Sequence, residues 1–239
     1  MKNRTDGELK LPLLSLDDAE PLSLRGFYAR RHAVPSYPWT TAINEPIGSV
    51  LAYLACWARM SPNAVTWTGG LVSTAGAIAF YAVSNPIESA LLAFVLLQAG
   101  YCLDCADGQL ARGTHQATAF GGWLDVALDF WVILVVAIAV ATVAYQGGSP
   151  AGEALIAALL AVYGRILHLH TSTLRRSQGG KPDLKNVSFP IRLGRFILDP
   201  GVYFLAICLL RPTPTLLPWA IGALGILHIP LAGRMAKKL

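Results

Sequence analysis

Six long apolar runs after residue 63 constrain what this chain can fold into more than any other feature. A helix that crosses the roughly 30 Å hydrocarbon core of a bilayer needs about 20 mostly apolar residues. The segments between the runs contain Gly, Pro, Asn and Ser, which favour turns. With 54% hydrophobic and 14% charged residues, the chain is predicted to be an all-α integral membrane protein with six transmembrane helices. The predicted spans are residues 64–84, 87–112, 119–145, 150–174, 190–210 and 213–233.

The positions of the basic residues predict how these helices are oriented. Cytoplasmic loops of membrane proteins carry most of the Lys and Arg residues. If the N-terminus lies inside, only Arg211 of the 19 Lys and Arg residues falls in an outer loop. We therefore expect an N-in/C-in topology in a bacterial or archaeal cytoplasmic membrane. The net charge of +5 would then reflect orientation and attraction to anionic membrane lipids. We expect no nucleic-acid partner, because no motif gathers the basic residues.

The first 63 residues differ from the rest of the chain. Residues 1–20 are mixed in charge, lack the apolar run of a signal peptide and are predicted to be a flexible segment. Residues 21–63 contain two amphipathic stretches, predicted to be interfacial helices, with Tyr53 and Trp57 at the membrane surface. A cytosolic helix packed on the loops is the alternative for the second stretch. Residues 64–239 are predicted to form one membrane domain.

Four aspartates interrupt the second and third apolar runs: Asp104, Asp107, Asp125 and Asp129. A charged group in hydrocarbon costs at least about 2.5 to 3.5 kcal/mol, so these side chains are expected to face one another, water or a cation. Asp104 and Asp107 share one helix face at the inner end of the second span, and Asp125 and Asp129 are one turn apart in the third. The two spans are antiparallel neighbours, so the acids can converge. Oxygen ligands favour Mg²⁺ or Mn²⁺, and these ions commonly bind substrate phosphates.

Small residues and one arginine accompany the acids, namely Gly108, Ala111, Arg112 and Gly121. Small side chains leave room for a ligand to reach the backbone, and Arg112 offers a bidentate donor for phosphate. Two ordinary explanations stay open. Small residues also let helices pack closely, and arginine is common at the inner membrane boundary.

Together these residues form the pattern D-x2-D-G-x2-A-R-x8-G-x3-D-x3-D, from Asp104 to Asp129. The pattern resembles the signature of the CDP-alcohol phosphotransferase family, also called CDP-alcohol phosphatidyltransferases, and all eight fixed positions match. The six-span pattern and the sequence "SPNAVTWTGG" at the first span extend the resemblance over most of the chain. Members of this family are membrane enzymes with six transmembrane helices. They transfer a phosphate-linked group from a CDP-activated alcohol to a hydroxyl and release CMP.

The resemblance implies a role for each motif residue. The ligands of the metal, expected to be two Mg²⁺ or Mn²⁺ ions, would be Asp104, Asp107, Asp125 and Asp129. Asp129 would also be the general base. The residues in contact with CDP would be Gly108, Ala111, Arg112 and Gly121, together with Asn63 and Thr66 from a family element near the nucleotide. A helix-capping role is the alternative for Asn63. The resemblance also implies a homodimer with its active site facing the cytoplasm.

Three arginines are candidates for binding an anionic acceptor. They are Arg165 in the fourth predicted span, and Arg192 and Arg195 at the start of the fifth. Arg195 and Asp199 are four residues apart, so a structural ion pair is an alternative explanation for both. His168 and His170, near the inner end of the fourth span, are weaker candidates for substrate contact.

No motif identifies the acceptor alcohol. The first choice is transfer from CDP-diacylglycerol to a small polar alcohol, as a step of phospholipid biosynthesis. The alternative is transfer from a CDP-linked polar alcohol to a lipid hydroxyl. Family members that make phosphatidylglycerol phosphate or phosphatidylinositol phosphate commonly carry a basic residue after the last aspartate, where this chain has Phe130. A divalent cation transporter is a third possibility, but transporters spread ionisable groups through the midplane rather than near one surface.

Overall fold

The computed structural model describes residues 22–29, 37–177 and 189–236, without the side chains of residues 175–177 and 189–192. Every regular element in these ranges is helical, as predicted. The predicted flexible segment, residues 1–20, lies outside them. The α-helices are α1 (Leu24–Ala29), α2 (Glu45–Trp57), α3 (Pro62–Ala82), α4 (Pro86–Gly113), α5 (Ala119–Gln146), α6 (Ala151–Ser177), α7 (Phe189–Ile197), α8 (Pro200–Leu209) and α9 (Leu217–Ala236). A short π-helix, Thr40–Asn44, leads into α2, and a 3₁₀ turn, Pro214–Leu216, precedes α9.

Four segments of the described chain are long and apolar enough to cross a membrane: Pro86–Gly113, Ala119–Gln146, Ala151–Leu174 and Pro214–Ala236. These correspond to the second, third, fourth and sixth predicted spans and support an integral membrane protein. α3 coincides with the first predicted span but is not among these four segments. The count of six spans and the N-in/C-in orientation stay predictions.

The fifth predicted span, residues 190–210, is not a continuous helix. It is divided into α7 and α8 at Asp199 and Pro200. Proline disfavours a helical conformation at the residue before it, and the Asp199 carboxylate caps the first turn of α8 by accepting the Gly201 N–H at 3.0 Å. Because of this break, α8 is only 10 residues long.

A capping side chain followed by proline also begins two of the long helices, α3 and α4. The side chains of Ser61 and Asn85 accept a backbone N–H in the first turns of α3 and α4, and a proline follows each cap as the first helical residue. Proline suits this position because its missing N–H would be unpaired in any case. Since Ser61 is the cap of α3, the capping alternative for Asn63 is excluded.

Pairs of glycines let the helices approach closely at two crossings. A Cβ placed on Gly100 of α4 would lie 2.9 Å from the Gly69 carbonyl oxygen of α3. A Cβ placed on Gly164 of α6 would lie 2.0 Å from the Gly225 carbonyl oxygen of α9. Small residues commonly allow this backbone contact between membrane helices. The first crossing lies one turn before Asp104, and the second lies beside Arg165.

The segment before α3 packs on the bundle through polar contacts. The Asp199 carboxylate accepts hydrogen bonds from the Thr40 backbone N–H and hydroxyl, both at 2.9 Å, and it is fully buried. The Thr40 hydroxyl also lies 2.8 Å from the Tyr101 hydroxyl of α4. Among the described side chains, these contacts replace the ion pair that was the alternative for Asp199 and Arg195.

Helix α2 has one side packed on the bundle and one side exposed. Gly48 faces α4, where an added Cβ would lie 2.9 Å from Cys105 Cβ. The opposite side exposes Ile47, Val50, Leu54 and Trp57, the last with 81% of its surface accessible. An apolar stripe on the outer face suits a helix that lies on a membrane surface better than a helix surrounded by water. The interfacial location stays a prediction.

Arg211, the one basic residue assigned to an outer loop, has a structural role. Its Nε donates to the Phe80 carbonyl at 2.9 Å and lies 3.1 Å from the Ser89 hydroxyl, so it ties the end of α8 to the turn between α3 and α4. The position of Arg211 therefore reflects local packing. One basic residue in an outer loop is then only a weak argument against the predicted orientation.

We predict that Gly164→Ala destabilises the protein by about 1 to 3 kcal/mol, because the added methyl group overlaps the α9 backbone. Thermal unfolding in detergent micelles measures the effect. Gly152→Ala in the same helix is the matched control, since nothing lies within 4 Å of its added Cβ. Equal unfolding temperatures for the two variants would contradict the close crossing of α6 and α9.

Candidate metal centre and substrate cavity

Three of the predicted metal ligands lie together where the C-terminal half of α4 faces the start of α5. One carboxylate oxygen from each of Asp104, Asp107 and Asp125 lies within 4.8 Å of the others. The i, i+3 spacing places Asp104 and Asp107 on one face of α4, and the turn after Gly113 brings α5 back alongside that face. The structure thus brings the acids of both halves of the motif into one cluster.

Asp129, the fourth predicted ligand, lies one helical turn beyond Asp125 on α5. It is close enough to Asp104 for a direct electrostatic interaction. Both side chains line a cavity between α3, α4, α5, α6, α8 and α9. Asp129 therefore lies at the boundary between the carboxylate cluster and the cavity.

The residues present suit a divalent cation. Asp107 is only 6% exposed, and its Oδ2 atom accepts no hydrogen bond from the described groups. Thr66, the predicted nucleotide-site residue of α3, lies beside this carboxylate. Burying a carboxylate oxygen without a donor is costly, and neighbouring carboxylates repel one another. A hard cation with oxygen ligands offsets both costs, so the donor set fits Mg²⁺ or Mn²⁺.

The small residues and Arg112 lie around the same cluster. The guanidinium of Arg112 lies over Gly108. A Cβ added to Gly108 would be 3.0 Å from Arg112 Nη1. An added Cβ on Gly121 would lie 3.0 Å from Asn63 Oδ1, so the first turns of α3 and α5 meet at these residues. Ala111, one turn beyond Gly108, is half-buried on α4. The predicted CDP-binding residues thus surround the acids on three helices.

The candidate acceptor-binding residues differ in whether they line the cavity. Arg165 lines the cavity that Asp104 and Asp129 line. Arg195 is half-buried on α7 and is not among the described residues that line this cavity. The side chain of Arg192 lies outside the described residues. His168 is buried, and its Nε2 lies 2.5 Å from the Tyr37 hydroxyl.

Three further residues of the site escaped prediction from the sequence. Tyr101 and His228 line the cavity. Glu45, at the start of α2, is 6% exposed and interacts electrostatically with Arg112. Helical spacing places Tyr101 one turn before Asp104 and could have identified it. No sequence signal pointed to Glu45 or His228, because their place in the site depends on which helices pack together.

Comparisons with known proteins agree with this arrangement. Residues 59–229 match the family model described as CDP-alcohol phosphatidyltransferase. Among curated proteins, the archaetidylinositol phosphate synthase of Pyrococcus horikoshii is 36% identical over 85 residues, which are 36% of this chain and 40% of that protein. An uncharacterized protein of Aquifex aeolicus is 37% identical over 71 residues, which are 30% of this chain and 34% of that protein. The matched regions thus span well under half of either relative.

A solved structure shares the fold. It is the phosphatidylinositol phosphate synthase of Mycobacterium tuberculosis, crystallised in complex with manganese and citrate. The TM-score is 0.58 with 16% sequence identity, over 80% of this chain and 87% of that one. At this identity the likeness shows the helical arrangement alone. The family model covers most of the chain, including every residue of the aspartate motif, and it shows that the chain belongs to the CDP-alcohol phosphatidyltransferase family.

Proposed function

We propose that the protein transfers a phosphate-linked lipid group from a CDP-linked lipid, with CDP-diacylglycerol as first choice, to a small polar alcohol and releases CMP. The observation that carries this proposal is the carboxylate cluster of Asp104, Asp107 and Asp125 at one end of a cavity that reaches Arg165. Most of the cavity lining is apolar, including Leu128 and Val132 of α5. An apolar wall beside a phosphate-binding cluster supports a lipid donor that enters from the membrane.

The proposed metal ligands are the four aspartates of the motif, and the proposed ions are two Mg²⁺ or Mn²⁺. Bound ions of this kind would offset negative charge on the pyrophosphate and on the leaving CMP. The manganese in the solved structure of the same fold supports this choice of ion.

The nucleotide half of the donor would bind among Asn63, Thr66 and the small residues of α4 and α5. The absence of a side chain at Gly108 and Gly121 lets Arg112 and Asn63, two of the proposed nucleotide contacts, lie close to the helix backbone. The Arg112 guanidinium, whose Nε is buried and has no described hydrogen-bond acceptor, would donate to a phosphate oxygen. These contacts would hold the donor with its reacting phosphorus towards the cavity.

Asp129 is the proposed general base. Its carboxylate would take the proton of the acceptor hydroxyl, while that oxygen forms a bond to the phosphorus that carries the lipid. The bond between this phosphorus and the bridging oxygen of the pyrophosphate breaks. CMP leaves with that oxygen as part of its phosphate group. The location of Asp129 between the carboxylate cluster and the cavity supports this role, because base and reacting phosphorus must lie close together.

The acceptor would enter the cavity on the Arg165 side. Arg165 donates to the Leu198 carbonyl and lies in contact with the His228 ring, and both of these partners are uncharged. A cation among membrane helices is expected to pair with an anion. An anionic group on the acceptor would supply it, and the name of the Pyrococcus relative supports a phosphorylated polyol. We further propose a homodimer in the cytoplasmic membrane, with the cavity open to the cytoplasm.

We predict that chelation with EDTA abolishes CMP release and that Mg²⁺ or Mn²⁺ restores it. Direct Mn²⁺ binding, followed by electron paramagnetic resonance, should weaken at least about tenfold in Asp107→Asn, because the variant loses a charged ligand from the cluster. His115→Asn is the control, since His115 lies exposed in the turn between the two halves of the motif. Undiminished Mn²⁺ binding in Asp107→Asn would argue against the proposed centre.

We predict that Asp129→Asn retains binding of the CDP-linked donor and lowers kcat by about a hundredfold or more, as expected for loss of a general base. Asp129→Glu keeps an ionisable carboxylate and should retain more activity. Calorimetric donor binding and turnover are measured on the same preparations. Unchanged turnover in Asp129→Asn would remove this residue from the mechanism.

The substrate assignment is tested by CMP release from purified protein with Mg²⁺ or Mn²⁺. CDP-diacylglycerol is expected to react with a phosphorylated polyol, such as glycerol 3-phosphate or inositol 1-phosphate, in preference to glycerol or inositol. CMP release only from a CDP-linked polar alcohol with a lipid hydroxyl would reverse the donor and acceptor. No CMP release with any pair, together with metal binding, would contradict the transferase assignment.

A further inference from the structure

Arg165 and His228 meet inside the bundle because α6 and α9 cross closely. Gly164 of α6 and Gly225 of α9 form the crossing. Arg165 directly follows Gly164, and His228 lies one turn after Gly225. Arg165 Nη1 lies 3.3 Å from His228 Nε2. On the other side of the ring, His228 Nδ1 lies 2.8 Å from the Leu224 carbonyl oxygen.

These two contacts define the state of the imidazole. A carbonyl oxygen only accepts, so Nδ1 carries the proton and donates to Leu224. In the neutral ring Nε2 is then an acceptor, and it receives a hydrogen from the Arg165 guanidinium. His228 thus acts on Arg165 as an uncharged acceptor with a fixed direction.

The contacts of Arg165 use one end of its guanidinium. Nη1 carries two hydrogens, and its described acceptors are the Leu198 carbonyl oxygen at 3.1 Å and His228 Nε2 at 3.3 Å. The three remaining hydrogens lie on Nε and Nη2. That edge of the guanidinium has the geometry for two parallel hydrogen bonds to a phosphate or carboxylate.

We propose that His228 is a positioning residue, which holds Arg165 by Nη1 so that the Nε and Nη2 edge binds the anionic group of the acceptor. Both residues line the cavity that Asp104 and Asp129 line, so an anion bound there belongs to a molecule beside the reaction centre. The inference rests on the proposed function, and it adds the residue that makes the arginine specific for a phosphorylated alcohol over a neutral one.

The ring of His228 is itself supported by His168 of α6 and, through it, by the segment before α2. The His168 ring of α6 packs edge to face against it, with ring centroids 5.4 Å apart. The Tyr37 hydroxyl, from the segment before α2, lies 2.5 Å from His168 Nε2. The side chains of Tyr37, His168 and His228 therefore lead in sequence to Arg165, and a preorganised donor loses less entropy when it binds.

Two substitutions of His228 separate positioning from packing. In Asn the side-chain amide reaches only the Nδ1 position, so His228→Asn removes the acceptor for Arg165. In Gln the amide oxygen reaches the Nε2 position, so His228→Gln keeps one. We expect His228→Asn to raise the KM for inositol 1-phosphate or glycerol 3-phosphate about tenfold or more, with kcat and donor KM changed less than about threefold. His228→Gln should stay within about threefold of wild type.

His170, also on α6, is exposed and is not among the described residues that line the cavity. His170→Asn is therefore the control variant and should leave all constants unchanged. A double-mutant cycle tests whether His228 acts through the arginine. An Arg165→Lys background lacks the guanidinium edge that His228 would position. In that background His228→Asn should change the acceptor KM less than about twofold. Full additivity of the two substitutions would overturn the proposal.

Acceptor binding without donor gives a readout that does not need turnover. Calorimetric Kd values for inositol 1-phosphate should rise about tenfold in His228→Asn and in Arg165→Lys, and little in His228→Gln. Equal Kd values for wild type, His228→Asn and Arg165→Lys would overturn the inference while leaving the transferase reaction intact. If wild type bound the phosphate but released no CMP with any donor, the proposed function would fail and the positioning role would stand.

Discussion

Ionised side chains inside a bundle of apolar helices need partners, and most of the arrangement in this structure follows from that requirement. One carboxylate oxygen from each of Asp104, Asp107 and Asp125 lies within 4.8 Å of the others, because α4 and α5 face each other. Arg165 is held by a carbonyl oxygen and an imidazole. In both places, the charged groups converge on space that a cation or an anion can fill. The proposed metal and the proposed phosphate would offset the cost of burying these groups.

Close backbone contact makes these charge arrangements possible. The crossing at Gly69 and Gly100 lies beside the acids, and the crossing at Gly164 and Gly225 lies beside Arg165. Without side chains at these points, neighbouring residues on two helices come within hydrogen-bonding reach. The break at Asp199 serves the same site, because it leaves the Leu198 carbonyl available to Arg165 and anchors Thr40.

Features set within one helix, or by one short turn, could be predicted from the sequence. Apolar length predicted α3 to α6 and α9 closely, and the i, i+3 and i, i+4 spacings predicted the convergence of the aspartates. Contacts between distant segments could not be predicted. Glu45 near Arg112, and His228 beside Arg165, depend on which helix faces which. The predicted fifth span was wrong as a single helix. The length of an apolar run does not show that Asp199 caps a new helix and that Pro200 follows it.

The proposed function requires that the aspartates of α4 and α5 form a metal centre at the end of the substrate cavity. Anomalous diffraction from crystals of the protein grown with Mn²⁺ tests it most directly. We expect manganese peaks within coordinating distance, about 2.0 to 2.4 Å, of carboxylate oxygens of Asp104, Asp107 and Asp125. Manganese bound elsewhere, with these carboxylates ligating no ion, would contradict it.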